Sequence, residues 1–131
     1  MLPAMRKILV VDDNAAFTEL VEMVFVGEYE VLKAADGEEG LKLAQSAKPD
    51  VILLDVMMPK VSGLEMLRQL QSDPETRIIP IIVLTASHFD ASTQGMFKEE
   101  PNVLSFLRKP CGIEMMRSQI ELALQKRAPQ P

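Results

Sequence analysis

Four short aliphatic runs, each followed by a side chain that can do chemistry, constrain the fold of this chain most strongly. They lie at residues 7–11, 51–54, 81–84 and 103–107. Runs of this length that are apolar at successive positions predict strands buried on both faces. Helical hydrophobic spacing separates them, and strands that alternate with helices favour an α/β fold around one parallel sheet.

The spacing predicts five strands and five helices in one domain. The remaining strand is expected at residues 29–34, and the helices at residues 17–24, 38–47, 64–71, 90–100 and 113–126. We expect Phe17, Leu20, Val21 and Val24 to share a face of the first helix, which Gly27 ends. The last helix should use Ile113, Met116, Ile120 and Leu124 in the same way. The segment at 90–100 predicts only a short or mobile helix, because it contains Ser, Thr and Gly95.

Composition narrows the class of protein. The 131 residues are enough for one core, and 47% are hydrophobic, which predicts a packed globule. The net charge of −5 argues against direct binding of nucleic acid. The single cysteine, Cys111, fits a reducing, cytoplasmic setting, and we see neither a signal peptide nor a membrane span. We expect a domain at residues 7–127, an N-terminal tail at 1–6 and a C-terminal tail or linker stub at 128–131.

Functional side chains end four of the predicted strands. Asp12 and Asp13 follow the first strand, Asp55 the third, Thr85 the fourth and Lys109 the fifth. In an open parallel sheet the carboxyl ends of the strands form the ligand-binding edge. Three carboxylates, a hydroxyl and an ammonium are therefore expected to converge there.

Such a cluster favours a divalent cation. Two like charges about 4 Å apart repel by roughly 4 kcal/mol at an effective dielectric constant near 20, so three carboxylates need compensation. Oxygen ligands suit Mg²⁺, with Mn²⁺ as an alternative, and the lack of His or Cys ligands disfavours zinc. A carboxylate beside Mg²⁺ can be the nucleophile of a phosphoryl transfer.

Four motifs in this order resemble the receiver domain of bacterial two-component response regulators. They are Val10-Val11-Asp12-Asp13-Asn14, Leu53-Leu54-Asp55-Val56-Met57-Met58-Pro59, Leu84-Thr85-Ala86 and Phe106-Leu107-Arg108-Lys109-Pro110. Gly63 also falls where the family's D-x-x-M-P-x-x-x-G pattern has its glycine. The resemblance covers residues 7–126 and implies a flavodoxin-like (βα)5 fold, doubly wound, with a five-stranded parallel sheet and helices on both faces.

The resemblance also implies a role for each matched residue. Asp55 matches the phosphoacceptor, and Asp13 and Asp55 match direct Mg²⁺ ligands, with Asp12 acting largely through water. Met57 matches the position that offers a backbone carbonyl to the metal. The remaining matches are Lys109 with the phosphate-binding lysine, Thr85 with the switch hydroxyl and Phe106 with the switch aromatic.

The function implied is a signalling switch rather than a metabolic enzyme. A sensor histidine kinase or a histidine phosphotransfer protein would supply the phosphoryl group, and intrinsic autophosphatase activity would remove it. Phosphorylation would change the surface made by the fourth helix, fifth strand and fifth helix, which controls a downstream protein or an output domain. A homodimer is compatible with the family, whereas contact with nucleic acid or a membrane is not expected of this domain.

Three rival interpretations remain open on the sequence alone. A haloacid dehalogenase-type phosphatase would need Asp-x-Asp after the first strand, but the candidate nucleophile here lies on the third. An FMN-binding flavodoxin would need a Ser/Thr/Gly-rich phosphate loop after that first strand, where this chain has Asp12 and Asp13. A pseudo-receiver would bind partners without phosphorylation, although every matched chemical position is filled.

Overall fold

Five parallel strands form a single sheet in the computed structural model, which describes residues 5–56, 63–85, 95, 97–109 and 111–126. The strands are β1 (Lys7–Val11), β2 (Glu30–Ala34), β3 (Val51–Asp55), β4 (Ile81–Thr85) and β5 (Val103–Arg108). Their order across the sheet is β2-β1-β3-β4-β5, and all neighbouring pairs are parallel. The predicted doubly wound, flavodoxin-like fold is confirmed.

Four helices lie in the described part of the chain. They are α1 (Ala15–Phe25), α2 (Gly37–Ala47), α3 (Gly63–Ser72) and α4 (Ile113–Lys126), the last being the fifth helix of the predicted order. Most of the helix predicted at 90–100 falls outside the described residues, although Gly95, Phe97 and Lys98 are helical. Among the described helices, none has the length and apolarity that a membrane crossing would require.

The side chains of the sheet alternate between two hydrophobic clusters, one on each face. The first core joins Leu9 and Val11 of β1 to the buried sides of α2 and α3. The second core joins Ile8 and Val10 to α1 and α4. Because helices cover both faces, every residue of β3 and β4 is buried, as their apolar sequence predicted.

Two predicted core residues lie on the surface instead. Leu20 is 47% exposed and Ile113 is 44% exposed. Helix α1 rests on the sheet through Thr18, Val21 and Phe25, and Leu20 is turned about 100° away from its neighbour Val21. The predicted inward positions of both residues were therefore wrong.

An irregularity in β5 changes which face its residues meet. Ile81 is paired with Val103, but Ile82 is paired with Ser105, so Leu104 has no partner on β4. Beyond this extra residue, Phe106 pairs with Val83 and packs against the first core, while Leu107 belongs to the second. A bulge of this kind re-aims the following side chains.

Candidate functional site

The three predicted acidic residues meet at the carboxyl edge of the sheet. Asp12, Asp13 and Asp55 each offer a carboxylate oxygen, and these oxygens all lie within 4.8 Å of one another. The parallel register causes this convergence, because Val11 at the end of β1 is paired with Leu54 of β3, just before Asp55. The geometric part of the prediction is confirmed.

Asp12 and Asp13 are adjacent in sequence but differ in environment. The Asp12 side chain is completely shielded from solvent, and its Oδ1 accepts a hydrogen bond from the backbone N–H of Asn14 at 2.9 Å. Its own N–H donates to the carbonyl of Ala34 at 3.0 Å. Asp13, in contrast, is exposed. Asp12 is thus held in place by the fold, whereas Asp13 faces solvent and any approaching ion.

Lys109 reaches the acidic cluster from the end of β5. Its ammonium nitrogen lies 2.6 Å from Oδ2 of Asp12 and 3.7 Å from Oδ2 of Asp55. The backbone N–H of Lys109 donates to the carbonyl of Thr85 at 2.7 Å, which fixes the start of the side chain. The ammonium therefore lies beside two of the three carboxylates in the described site, and its single positive charge offsets one of their three negative charges.

Thr85 and Phe106 occupy neighbouring strands beside this cluster. The Thr85 side chain is buried, and its hydroxyl donates to the carbonyl of Leu107 at a long distance of 3.4 Å. Phe106 is half-buried and packs against the first core. The Thr85 hydroxyl thus lies at the carboxyl end of β4. The Phe106 ring lies on β5, two residues before Arg108, which is the residue paired with Thr85.

The donor set fits a hard divalent cation. All three carboxylates supply oxygen, the ligand that Mg²⁺ prefers. A cavity of about 200 Å³ adjoins Asp12 and Asp13 and extends towards Glu39, and its lining does not include Asp55. Met57, the predicted carbonyl donor, lies outside the described residues.

Sequence reasoning missed two neighbours of Lys109. The ammonium lies over the Phe17 ring, 4.8 Å from its centroid. Cys111 packs against the second core, where burial raises the pKa of its thiol and the charge of Lys109 opposes that rise. The helical spacing that identified Phe17 as a core residue contained no signal for its contact with a lysine 92 positions later.

Comparison with known proteins agrees with this geometry. The family model described as response regulator receiver domain matches residues 8–121. Protein PilH of Pseudomonas aeruginosa is 36% identical over 123 residues, covering 92% of this chain and 98% of that protein. The structure of chemotaxis protein CheY4 of Vibrio cholerae superposes with a TM-score of 0.84 at 31% identity, covering 92% of this chain and all of that one.

Other relatives are longer proteins. Response regulator PleD of Caulobacter vibrioides is 40% identical over 115 residues, which are 87% of this chain but 25% of PleD. Family membership thus rests on a match that spans most of the present chain, including both acid-bearing strands and Lys109. The chain belongs to the response regulator receiver domains, the family of signalling switches in two-component systems rather than of metabolic enzymes.

Proposed function

We propose that this chain is a phosphorylation switch that accepts a phosphoryl group on Asp55 in the presence of Mg²⁺. The donor is a histidine kinase or a histidine phosphotransfer protein, the class of donor that serves this family. One observation carries the proposal: Asp12, Asp13 and Asp55 converge within 4.8 Å, with the ammonium of Lys109 between Asp12 and Asp55. A buried, compensated carboxylate beside other acids is the arrangement that aspartyl phosphorylation requires.

Each residue of the cluster has a distinct task in the transfer. Asp55 attacks phosphorus through a carboxylate oxygen, and the bond from phosphorus to the donor histidine nitrogen breaks. Lys109 holds one oxygen of the transferred group as a point charge. Asp13 and Asp55 would hold Mg²⁺ directly and Asp12 largely through water, and the ion would supply positive charge against the phosphoryl oxygens. Water later hydrolyses the acyl phosphate, so the chain removes its own modification.

Thr85 and Phe106 would convert phosphorylation into a change of surface. The Thr85 hydroxyl loses little when it leaves the 3.4 Å contact with the Leu107 carbonyl, because a hydrogen bond of that length is weak. A phosphoryl oxygen on Asp55 offers it a charged acceptor, which is stronger. The shift of Thr85 makes room for Phe106 to move inward from its half-buried position. The surface of β5 and α4, with the preceding segment at 90–100, then binds a downstream protein or an output domain.

Intact mass spectrometry tests the transfer directly. The chain is incubated with acetyl phosphate and Mg²⁺, and we expect one added phosphoryl group. The addition should disappear in Asp55→Asn and on chelation of the metal. Asp73→Asn is the matched control, because Asp73 lies after α3 in the segment leading to the opposite end of β4. An unmodified wild-type chain, under conditions that phosphorylate another receiver domain, would refute the proposal.

A second experiment separates the switch from the chemistry. Thr85→Val keeps the shape of the side chain but removes the hydroxyl. We expect this variant to gain the phosphoryl group, while the NMR signals of the Phe106 ring no longer shift on phosphorylation. Equal ring shifts in wild type and Thr85→Val would show that Thr85 does not couple the two events.

A further inference from the structure

Two acids and one aromatic ring lie close to the ammonium of Lys109. Asp12 and Asp55 lie at 2.6 and 3.7 Å, and the centroid of the Phe17 ring lies at 4.8 Å. We propose that Phe17 is a positioning residue whose ring face holds the Lys109 ammonium where it can reach a phosphoryl group on Asp55. This inference rests on the proposed function of Asp55.

Lys109 needs such a contact because its charge sits on a flexible four-carbon stem. Electrostatic attraction alone draws the ammonium to the nearest acid, which is Asp12. Phosphoryl transfer requires the Lys109 ammonium to stay near Asp55 while Asp12 serves the metal ion. A cation within about 6 Å of a ring centroid is attracted by the face of the ring. Phe17 therefore offers Lys109 a partner that does not compete for the acids.

Phe17 is itself held rigidly enough to act in this way. It lies in the first turn of α1, directly after the acidic pair, and its N–H is bonded to the side-chain and backbone oxygens of Asn14. Its ring is partly buried against the second core. The Asn14 cap, which follows Asp12 and Asp13, thus fixes the Phe17 ring relative to the acidic cluster that Lys109 contacts.

Packing alone is the competing explanation for this aromatic residue, and the chain contains a suitable control. Phe25 belongs to the same helix and the same core, and the guanidinium of Arg117 lies over its ring at 5.2 Å. Replacing Phe25 removes an aromatic ring from α1 without touching Lys109. If Phe17 served only in packing, replacing Phe17 and replacing Phe25 would have the same effect on the phosphorylation of Asp55.

The first test measures the rate of phosphorylation of the full chain by acetyl phosphate with Mg²⁺. Phe17→Leu keeps an apolar side chain against the core but removes the ring face, and we expect a rate about two- to fivefold lower. Phe17→Tyr keeps the face and should restore the wild-type rate. Phe25→Leu should lower the unfolding temperature but leave the rate unchanged. Phe17→Met replaces Phe17→Leu if the leucine variant does not fold.

The second test needs no phosphorylation. A ring face above an ammonium shields the adjacent methylene, so NMR of the lysine side chains should show upfield ε-proton signals for Lys109, assigned by their loss in Lys109→Met. The shift should persist in Phe17→Tyr and Phe25→Leu and vanish in Phe17→Leu.

The outcomes separate this inference from the function on which it rests. A wild-type chain that is never phosphorylated overturns the proposed function. A phosphorylated wild type whose rate is unchanged in Phe17→Leu overturns the positioning role alone, and ordinary ε-proton shifts in the wild type overturn the contact. A lower rate together with loss of the upfield shift in Phe17→Leu, and wild-type values of both in Phe17→Tyr, supports the positioning role of Phe17.

Discussion

The ammonium of Lys109 lies closer to Asp12 than to Asp55, at 2.6 Å against 3.7 Å. Asp12 is the acid that the fold shields most completely, and it is proposed to serve the metal rather than to be phosphorylated. Lys109 and a divalent cation would therefore compete for the negative charge of the Asp12 carboxylate. This competition leads to a prediction about affinity that the sequence alone does not suggest.

Replacing Lys109 by Met should strengthen the binding of Mg²⁺ while preventing efficient phosphorylation. The variant removes a positive charge that neutralises Asp12, so the cluster becomes more negative. We expect an affinity about tenfold higher, which corresponds to about 1.4 kcal/mol. Isothermal titration calorimetry measures it directly, and it is suited to a chain without Trp.

Lys33→Met is the control for this comparison. Lys33 borders the same cavity as Asp12 and Asp13 but forms its ion pair with Glu22, at 2.8 Å. Its removal changes the net charge equally without freeing an acid of the cluster. An affinity that rises as much in Lys33→Met as in Lys109→Met would attribute the effect to net charge rather than to competition.

Mg²⁺ should stabilise the fold, and Asp13 should be needed for this effect. An ion that binds only the folded state at roughly 100 times its dissociation constant adds about 2.7 kcal/mol to the free energy of unfolding. Asp13→Asn should lose most of this gain because Asp13 is the solvent-facing acid of the cluster. Thermal unfolding with and without Mg²⁺ measures it, with exposed Glu38→Gln as the control. A full Mg²⁺ response in Asp13→Asn would exclude Asp13 as a ligand.

Gly63→Ala should destabilise the chain by about 1–3 kcal/mol, the usual cost of overpacking. A Cβ at position 63 would lie 2.9 Å from the backbone Cα of Val56, next to Asp55, and a backbone atom cannot rotate away. Urea unfolding measures the loss. In Gly112→Ala, the control, the added carbon meets nothing within 4 Å, so little change is expected. Equal stability of the two variants would contradict this account of Gly63.

Tyr29 should titrate above its ordinary pKa of 10.0, because burial raises the pKa of its hydroxyl and Glu121 and Glu28 raise it further. Tyr29 is the only Tyr and Trp is absent, so tyrosinate absorbance reports this one group. The folded state holds the proton more tightly than the unfolded chain does. Stability should therefore be unaffected well below pH 10 and should fall as the pH rises through the unfolded pKa, near 10.

Charge replacement tests the cause of this shift. Glu121→Gln should lower the pKa of Tyr29, whereas Glu38→Gln, on a different helix, should leave it unchanged. A Tyr29 titration identical in wild type and Glu121→Gln would remove Glu121 from the explanation, leaving burial as the principal cause.

Much of the site could be predicted because a parallel sheet turns strand ends into neighbours. Asp12, Asp55, Thr85 and Lys109 each end or follow a strand, and the strand order brings their carboxyl ends to one edge. The element boundaries agreed to within one residue for all five strands, since apolar runs and turn residues define them locally. Asn14 was likewise identifiable as a cap from its place after the acids.

The remaining features depend on contacts that no local pattern records. The preference of Lys109 for Asp12, and the approach of its ammonium to Phe17, arise from side-chain placement across 92 or more positions of sequence. Leu20 and Ile113 had the right spacing for burial, but their helices contact the sheet through narrower stripes than the spacing suggested. Periodicity identifies an apolar face without giving its width.

The unpaired Leu104 in β5 has a consequence for how this strand can vary. Val103 and Phe106 are three positions apart, so strict alternation would send them to opposite sides, yet both pack against the first core because Leu104 stands outside the pairing. Deleting Leu104 would therefore leave a regular strand in which Val103 is still paired with Ile81 and Phe106 with Val83, so neither the aromatic ring nor Lys109 would move along the sheet. What the extra residue adds is an apolar side chain, because Leu104 packs against the second core, and its loss would change that core without moving the charged edge.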